Sequence, residues 1–323
     1  MIWVAWRQQR MQLLISVLLV GLVSALLAFF RFDALEYLRS HGIEGCLRIE
    51  KERCTSSAMN AFASEYRTYV SVVPMLLLCL PVLLGMFAGA PLFAREFEQG
   101  THIFALSQGV RRGRWWATKL VVAGVPVIGA VAALGLAATW GLRPLNFVTH
   151  GRMMTPGFET QGLVVAAYAA LAFALGATVG LLARNTVIAM AATLALYVVF
   201  VAGVGAGARP MYLDPVEKRG SVTAGAAIGS GRGGSVVPDD AWRVGDSYFD
   251  ASGAEVTFDP SSCQSADSNI ETCLERQGIA TVSARFHPDE NFWKFQLAES
   301  GIVLVIGFLL LGLGGWGLHK RLL

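Results

Sequence analysis

The chain has 323 residues, 54% of them apolar and only 15% charged, with a formal net charge of +3. Soluble domains carry about a quarter charged residues. This deficit, with a mean hydropathy of +0.52, excludes an ordinary soluble domain and gives no reason to expect a nucleic-acid partner. Six apolar runs account for it, at 11–30, 70–94, 121–142, 162–183, 186–208 and 300–318, each free of Asp, Glu, Lys and Arg. About 20 apolar residues cross a lipid bilayer as a helix, and a charge at the bilayer centre costs about 2.5–3.5 kcal/mol. The expected fold class is an all-α membrane protein with six transmembrane helices.

In chain order, residues 1–10 begin with an apolar stretch bearing Trp3 and Trp6 and end with Arg7 and Arg10. This pattern predicts a short interfacial helix before the first span. The first run is too long for a signal-peptide core, and no A-x-A cleavage site follows Phe30, so it is read as a retained span. The segment 31–69 carries Cys46 and Cys54. The second run contains Pro74, Pro81 and Pro91, each of which removes a helical hydrogen bond. Span two is therefore expected to line a pathway, with Phe87 facing substrate. Span four carries Gly176 and Gly180 four residues apart, a spacing that lets helices approach closely. Tyr197 and Phe200 of span five are the other expected pathway residues. Segment 209–299 reads as a small cap. Residues 220–235 look like a Gly/Ser-rich linker, residues 248–258 a hairpin with Gly253 in its turn, and Val282, Ala284 and Phe286 a further strand. Residues 300–323 form the last span and a short tail. Seven tryptophans, at 3, 6, 115, 116, 140, 293 and 316, fall at or near span ends and are expected to form an interfacial belt.

The segments on the N-terminal side of the membrane are short and hold ten of the 26 Lys and Arg residues but only two of the 23 acids. Basic residues in short loops at span ends set orientation, so both termini are expected in the cytoplasm of a plasma-membrane protein. The cysteines agree. Cys46, Cys54, Cys263 and Cys273 all fall on the opposite side, where disulfides persist, while Cys79 sits inside span two. Local pairing, Cys46–Cys54 and Cys263–Cys273, is the simplest of the three connectivities. Each such loop gains about 2.5 kcal/mol on the chain-entropy account.

The most informative segment is 95–120, between spans two and three. Arg95, Glu96 and Glu98 stand at the membrane exit, Gly100-Thr101 break the helix, and Arg111, Arg112 and Arg114 form a cluster before span three. Arginines alone would suit anionic lipid. Acids beside Phe97 and Phe104 suit a protein partner better. No G-x-x-x-x-G-K-[ST] occurs, so any nucleotide chemistry is expected to reside on that partner. No enzyme constellation is visible.

The run from Gly89-Ala90-Pro91-Leu92 through Ala94-Arg95-Glu96-Phe97-Glu98, Gly100-Thr101-His102, Ser107-Gln108, Arg112, Arg114-Trp115 and Lys119-Leu120 resembles permease subunits of ABC-2-type transporters, nearest their actinobacterial branch. Trp3, Trp6, Arg7, Gln8 and Arg10 resemble the opening of such proteins, as do Arg285 to Pro288 and Phe292 to Gln296 before the last span. The resemblance implies a homodimer or heterodimer of six-span chains embedded in the lipid bilayer. It further implies a separate ABC ATPase subunit carrying ATP and Mg, docked on Arg95, Glu96, Glu98, Gly100 and Thr101 with Arg111, Arg112 and Arg114 alongside. Ala105-Leu106-Ser107-Gln108 departs from the AWTQ-like sequence that relatives carry. The expected function is ATP-driven export of a hydrophobic or amphipathic substrate such as a drug, peptide or lipid. The alternative is a membrane-bound immunity or sensor protein that binds a ligand without transport.

Overall fold

The computed structural model describes residues 2–43, 56–101, 103, 107, 111–146, 148, 151–222, 237–238, 240–263 and 270–321. Cys46 and Cys54, most of the Gly/Ser-rich linker, and His102, Phe104 to Leu106 and Gln108 lie outside them.

Six helices are long and apolar enough to cross a membrane. They are α1 (Ile2–Ser40), α2 (Ser56–Glu98), α3 (Arg112–Leu142), α5 (Val164–Ala183), α6 (Thr186–Gly203) and α8 (Phe292–Arg321), with the single turn α4 (Gly157–Thr160) before α5. Helix α1 runs unbroken for 39 residues, roughly 58 Å at 1.5 Å per residue. This corrects the expectation of a separate interfacial helix at 1–10, because no residue between 2 and 40 breaks the helical ladder. It ends at Gly42, whose φ of +67° admits the paired bonds Ile43 N–H to Leu38 C=O and Gly42 N–H to Arg39 C=O. Helix α2 spans 43 residues and continues through all three prolines. The end of α1 and the start of α2 therefore carry helix into the segment 31–69 from both sides. Tyr66 donates to Asp33 at 2.6 Å there, and Tyr37 packs on Phe62 and Tyr66.

Helix α5 is the axis, with sixteen of its twenty residues buried. Water drives no association between helices inside lipid, so close van der Waals contact must do so. Small residues supply it. A side-chain carbon on Gly85 would lie 2.6 Å from the Ala169 carbonyl, and one on Gly176 would lie 2.8 Å from the Ala90 amide nitrogen. Gly180 meets the Ala90 carbonyl in the same way. Helix α6 is the opposite case, burying only Ala189, Thr193 and Tyr197, one residue per turn.

Between α6 and α8 the chain folds as a four-stranded antiparallel sheet: β1 (Val216–Ser221), β2 (Trp242–Phe249), β3 (Glu255–Val256) and β4 (Thr281–His287), in the order β1-β4-β2-β3. Helix α7 (Ile270–Arg276) precedes β4. The expected hairpin forms as Tyr248↔Val256 and Phe249↔Glu255, and the strand at 282–286 is β4. The sheet sits on the bundle through Trp242, whose ring is 5.4 Å from His287 and 5.9 Å from Phe295. Both boundaries of the cap move inward, since α6 continues through Arg209–Met211 in irregular helical turns and α8 already starts at Phe292.

Candidate functional site

The predicted docking segment begins in the last turn of α2. Gly100, φ +68°, stops the helix. Arg95, Thr101, Arg111 and Arg114 are exposed, and Arg112 is half-buried. The two acids behave differently. Glu96 turns inward and accepts from Lys119 Nζ of α3, whose ammonium also lies 5.0 Å from the buried Trp115 ring. Glu98 accepts from both the backbone N–H and the hydroxyl of Thr186 at 2.8 Å. A carboxylate there meets the unpaired N–H groups and positive dipole of a helix start. Asn185 caps the same helix by accepting from Ile188 N–H at 2.9 Å. Arg184, in the left-handed turn between α5 and α6, lies 5.4 Å from the Phe97 ring. Phe97 is therefore partly covered, and Trp115 is buried against Phe93 at 5.3 Å and does not join an interfacial belt.

Of the expected pathway residues, Tyr197 and Phe200 share one apolar cluster and Phe87 stands apart from it. Phe87 is half exposed, and its carbonyl accepts from Gln12 of α1. Tyr197 is buried with its ring 6.1 Å from Tyr168, and Phe200 packs on the same cluster. Among the described residues, Cys79 is a free, exposed cysteine. Cys273 is buried in α7, and Cys263 ends the turn Pro260–Cys263.

Sequence reasoning missed a buried charge cluster at the capped end. Arg209 donates through Nε and Nη2 to both oxygens of Glu299 at 2.8 Å, and through Nη1 to Glu159 at 2.7 Å. All three side chains are at most 1% exposed. Tyr168 donates to Glu299 at 2.5 Å, Thr155 donates to Glu159 at 2.7 Å, and the guanidinium covers the Phe158 ring at 4.2 Å. One step away, Gln296 accepts from Val164 N–H at 2.8 Å and donates to the Phe158 carbonyl at 3.0 Å. The cluster ties together the start of α5, the end of α6 and the first turns of α8. Each charge stands just outside an apolar run, where a charged flank is ordinarily solvated. The signal was periodicity: Phe292, Phe295, Gln296, Glu299 and Val303 share one helical face, and all are buried. Among the described residues, no group of three or more His, Cys, Asp or Glu is placed to hold a metal ion.

Comparison with curated proteins gives no match, and neither does comparison with solved structures. Residues 17–209 match the family described as ABC-2 membrane transporter related. The matched segment runs from α1 to Arg209, through the segment 95–120 and all but one of the helices able to span a membrane, and leaves the sheet and α8 outside. More than half of the sequence is covered, and the chain therefore belongs to the ABC-2 membrane transporter related family, as a membrane-embedded permease component of an ABC transporter that works with an ABC ATPase.

Proposed function

We propose that the chain is one half of a dimeric exporter, a homodimer or a heterodimer with a similar permease. It moves a hydrophobic or amphipathic substrate (drug, peptide or lipid) out across the plasma membrane, using ATP and Mg bound by the partner ATPase. Both termini and the segment 95–120 face the cytoplasm, and the sheet faces outward. The carrying observation is the anchoring of that segment: Glu96 joins α2 to Lys119 of α3, and Glu98 joins α2 to the start of α6. A push on the loop is thereby delivered to three spans at once. Arg95, Gly100, Thr101, Arg111, Arg112 and Arg114 form the contact surface for the ATPase, and Glu96 and Glu98 transmit its movement. ATP shifts the permease between inward- and outward-open states only to the extent that it binds the two differently. Substrate meets span two at Phe87 and span five at Tyr197 and Phe200.

Disulfides Cys46–Cys54 and Cys263–Cys273 stabilise the outer face. For the second, Gln277 Nε2 approaches both Ser262 Oγ at 2.6 Å and Cys273 Sγ at 3.6 Å, which supports neighbouring placement of the two segments.

The test is purification of tagged protein from its own host in mild detergent, with mass spectrometry of what accompanies it. An ATPase is expected with wild type and lost with Arg111→Glu/Arg114→Glu, whose side chains lie at the surface. Glu98→Ala should keep the ATPase but uncouple ATP hydrolysis from accumulation of a fluorescent amphiphile in inside-out vesicles. A folded wild-type chain that brings no ATPase and accumulates nothing refutes the exporter reading and favours a ligand-binding sensor.

A further inference from the structure

A cavity of about 890 Å³ opens at the capped end, between the upper part of α1, the end of α3 and the root of α8. Its wall is amphipathic. Leu35, Leu136, Trp140 and Trp293 supply apolar surface, while Arg31 and Arg143 supply charge. Arg31 is fixed in place, with Nη1 donating to the Trp140 carbonyl at 2.5 Å and the guanidinium 4.4 Å from the Trp140 ring centroid. Arg143 opens the turn Arg143–Leu145 directly after α3, and its charge acts on Arg31.

Among the described residues, neither guanidinium has an ion pair with a carboxylate. The third arginine of the wall, Arg152, is already satisfied by two 2.8 Å bonds to Asp289. The other acid of the wall, Asp240, is exposed, as Arg143 is, and forms an ion pair with neither arginine. Among the described residues, the cavity therefore presents two like charges to one space, neither of them held in an ion pair. Guanidinium pairs bind phosphate with directional, charge-assisted bonds. The two tryptophans are 45% and 42% exposed, as rings at headgroup depth are. A space this large is within the range of small-molecule sites, and its apolar walls give a bare anion nothing to bury.

We propose that this cavity binds one anionic amphiphile, its phosphate headgroup bridged between Arg31 and Arg143 and its chains laid on Leu35, Leu136, Trp140 and Trp293. The site is independent of ATPase docking and of transport direction, so its failure and that of the exporter reading are separable.

The test places the full chain in nanodiscs containing phosphatidylcholine and phosphatidylglycerol and counts retained lipid by native mass spectrometry. Wild type should retain one phosphatidylglycerol in preference to phosphatidylcholine. Arg31→Gln and Arg143→Gln should each weaken that preference about fivefold, and the pair about 25-fold, while Arg219→Gln on the exposed sheet leaves it unchanged. Equal retention of the two lipids by wild type overturns the proposal without needing any variant. So does a double variant that melts like wild type and keeps the preference. Displacement of the bound lipid by millimolar inorganic phosphate would identify a soluble anion as the occupant and likewise overturn it.

Discussion

Arg209→Met is the sharpest perturbation of the capped end, because the substitution keeps most of the side-chain length and removes the charge. It leaves Glu159 and Glu299, 1% and 0% exposed, without their cation. Removing one member of a buried ion pair costs about 3–5 kcal/mol. Tyr168 and Thr155 continue to donate to the two carboxylates, which places the expected cost near the lower end, about 3 kcal/mol. At about 2 °C per kcal/mol for a chain of this size, the melting temperature in detergent should fall by roughly 6 °C. The triple variant Arg209→Met/Glu159→Gln/Glu299→Gln removes every charge of the cluster and should recover most of that loss, since neutral replacements of buried ion pairs are often tolerated. Arg219→Met, which breaks the exposed pair with Glu217, should change nothing measurable. An Arg209→Met protein that melts within about 1 °C of wild type would refute the view that this cluster holds the capped end together.

Gly85→Val and Gly176→Val drive methyl groups into the backbone of the facing helix and should each cost at least about 1–3 kcal/mol, read as loss of monodisperse protein on gel filtration. Gly129→Val, with open space around it, should purify normally. Gln296→Leu strands the Val164 N–H and the Phe158 carbonyl in a buried setting at about 1–3 kcal/mol each, and Gln296→Glu should rescue the first but not the second. For His287, burial pushes the imidazole below its ordinary value of about 6.5, opposed by the Pro210 carbonyl. The fold holds the neutral ring, so the unfolded chain binds the extra proton, and the stability His287 contributes is full above about pH 6.5 and lost as the pH falls below it. Melting temperature should drop between about pH 7.5 and pH 5, and less so in His287→Phe, which keeps the ring contacts with Trp242 and Phe295. Identical profiles for the two proteins would remove His287 as the cause.

Lipid imposes a demand that a sequence displays openly. A span needs about 20 apolar residues in a row, and so the six spans, the stop at Gly100 and the close packing of Gly176 and Gly180 are all visible along the chain. The hairpin at Tyr248–Val256 and the strand at 282–286 are visible for a related reason, since alternation and a turn glycine are local properties. The segment proposed to dock the ATPase stands out in the sequence through the grouping of Arg95, Glu96, Glu98 and the later arginines.

Roles that depend on what lies opposite were not legible. Glu96 and Glu98 read as surface acids, yet one meets Lys119 and the other the start of α6, contacts that span 23 and 88 residues of sequence. Trp115 read as an interfacial ring and is core. Arg209, Glu159 and Glu299 lie far apart along the chain, each just outside its apolar run. A charge beside a span is ordinarily solvated, and only the meeting of α5, α6 and α8 at one end of the bundle makes these three each other's solvent. That the chain crosses the membrane six times, and roughly where, can be read along the chain, because lipid acts on each segment separately; how far α1 and α2 run beyond their apolar cores cannot. The tertiary structure alone decided which of its few charges are buried, because the free energy of a buried charge is set by the partner that faces it.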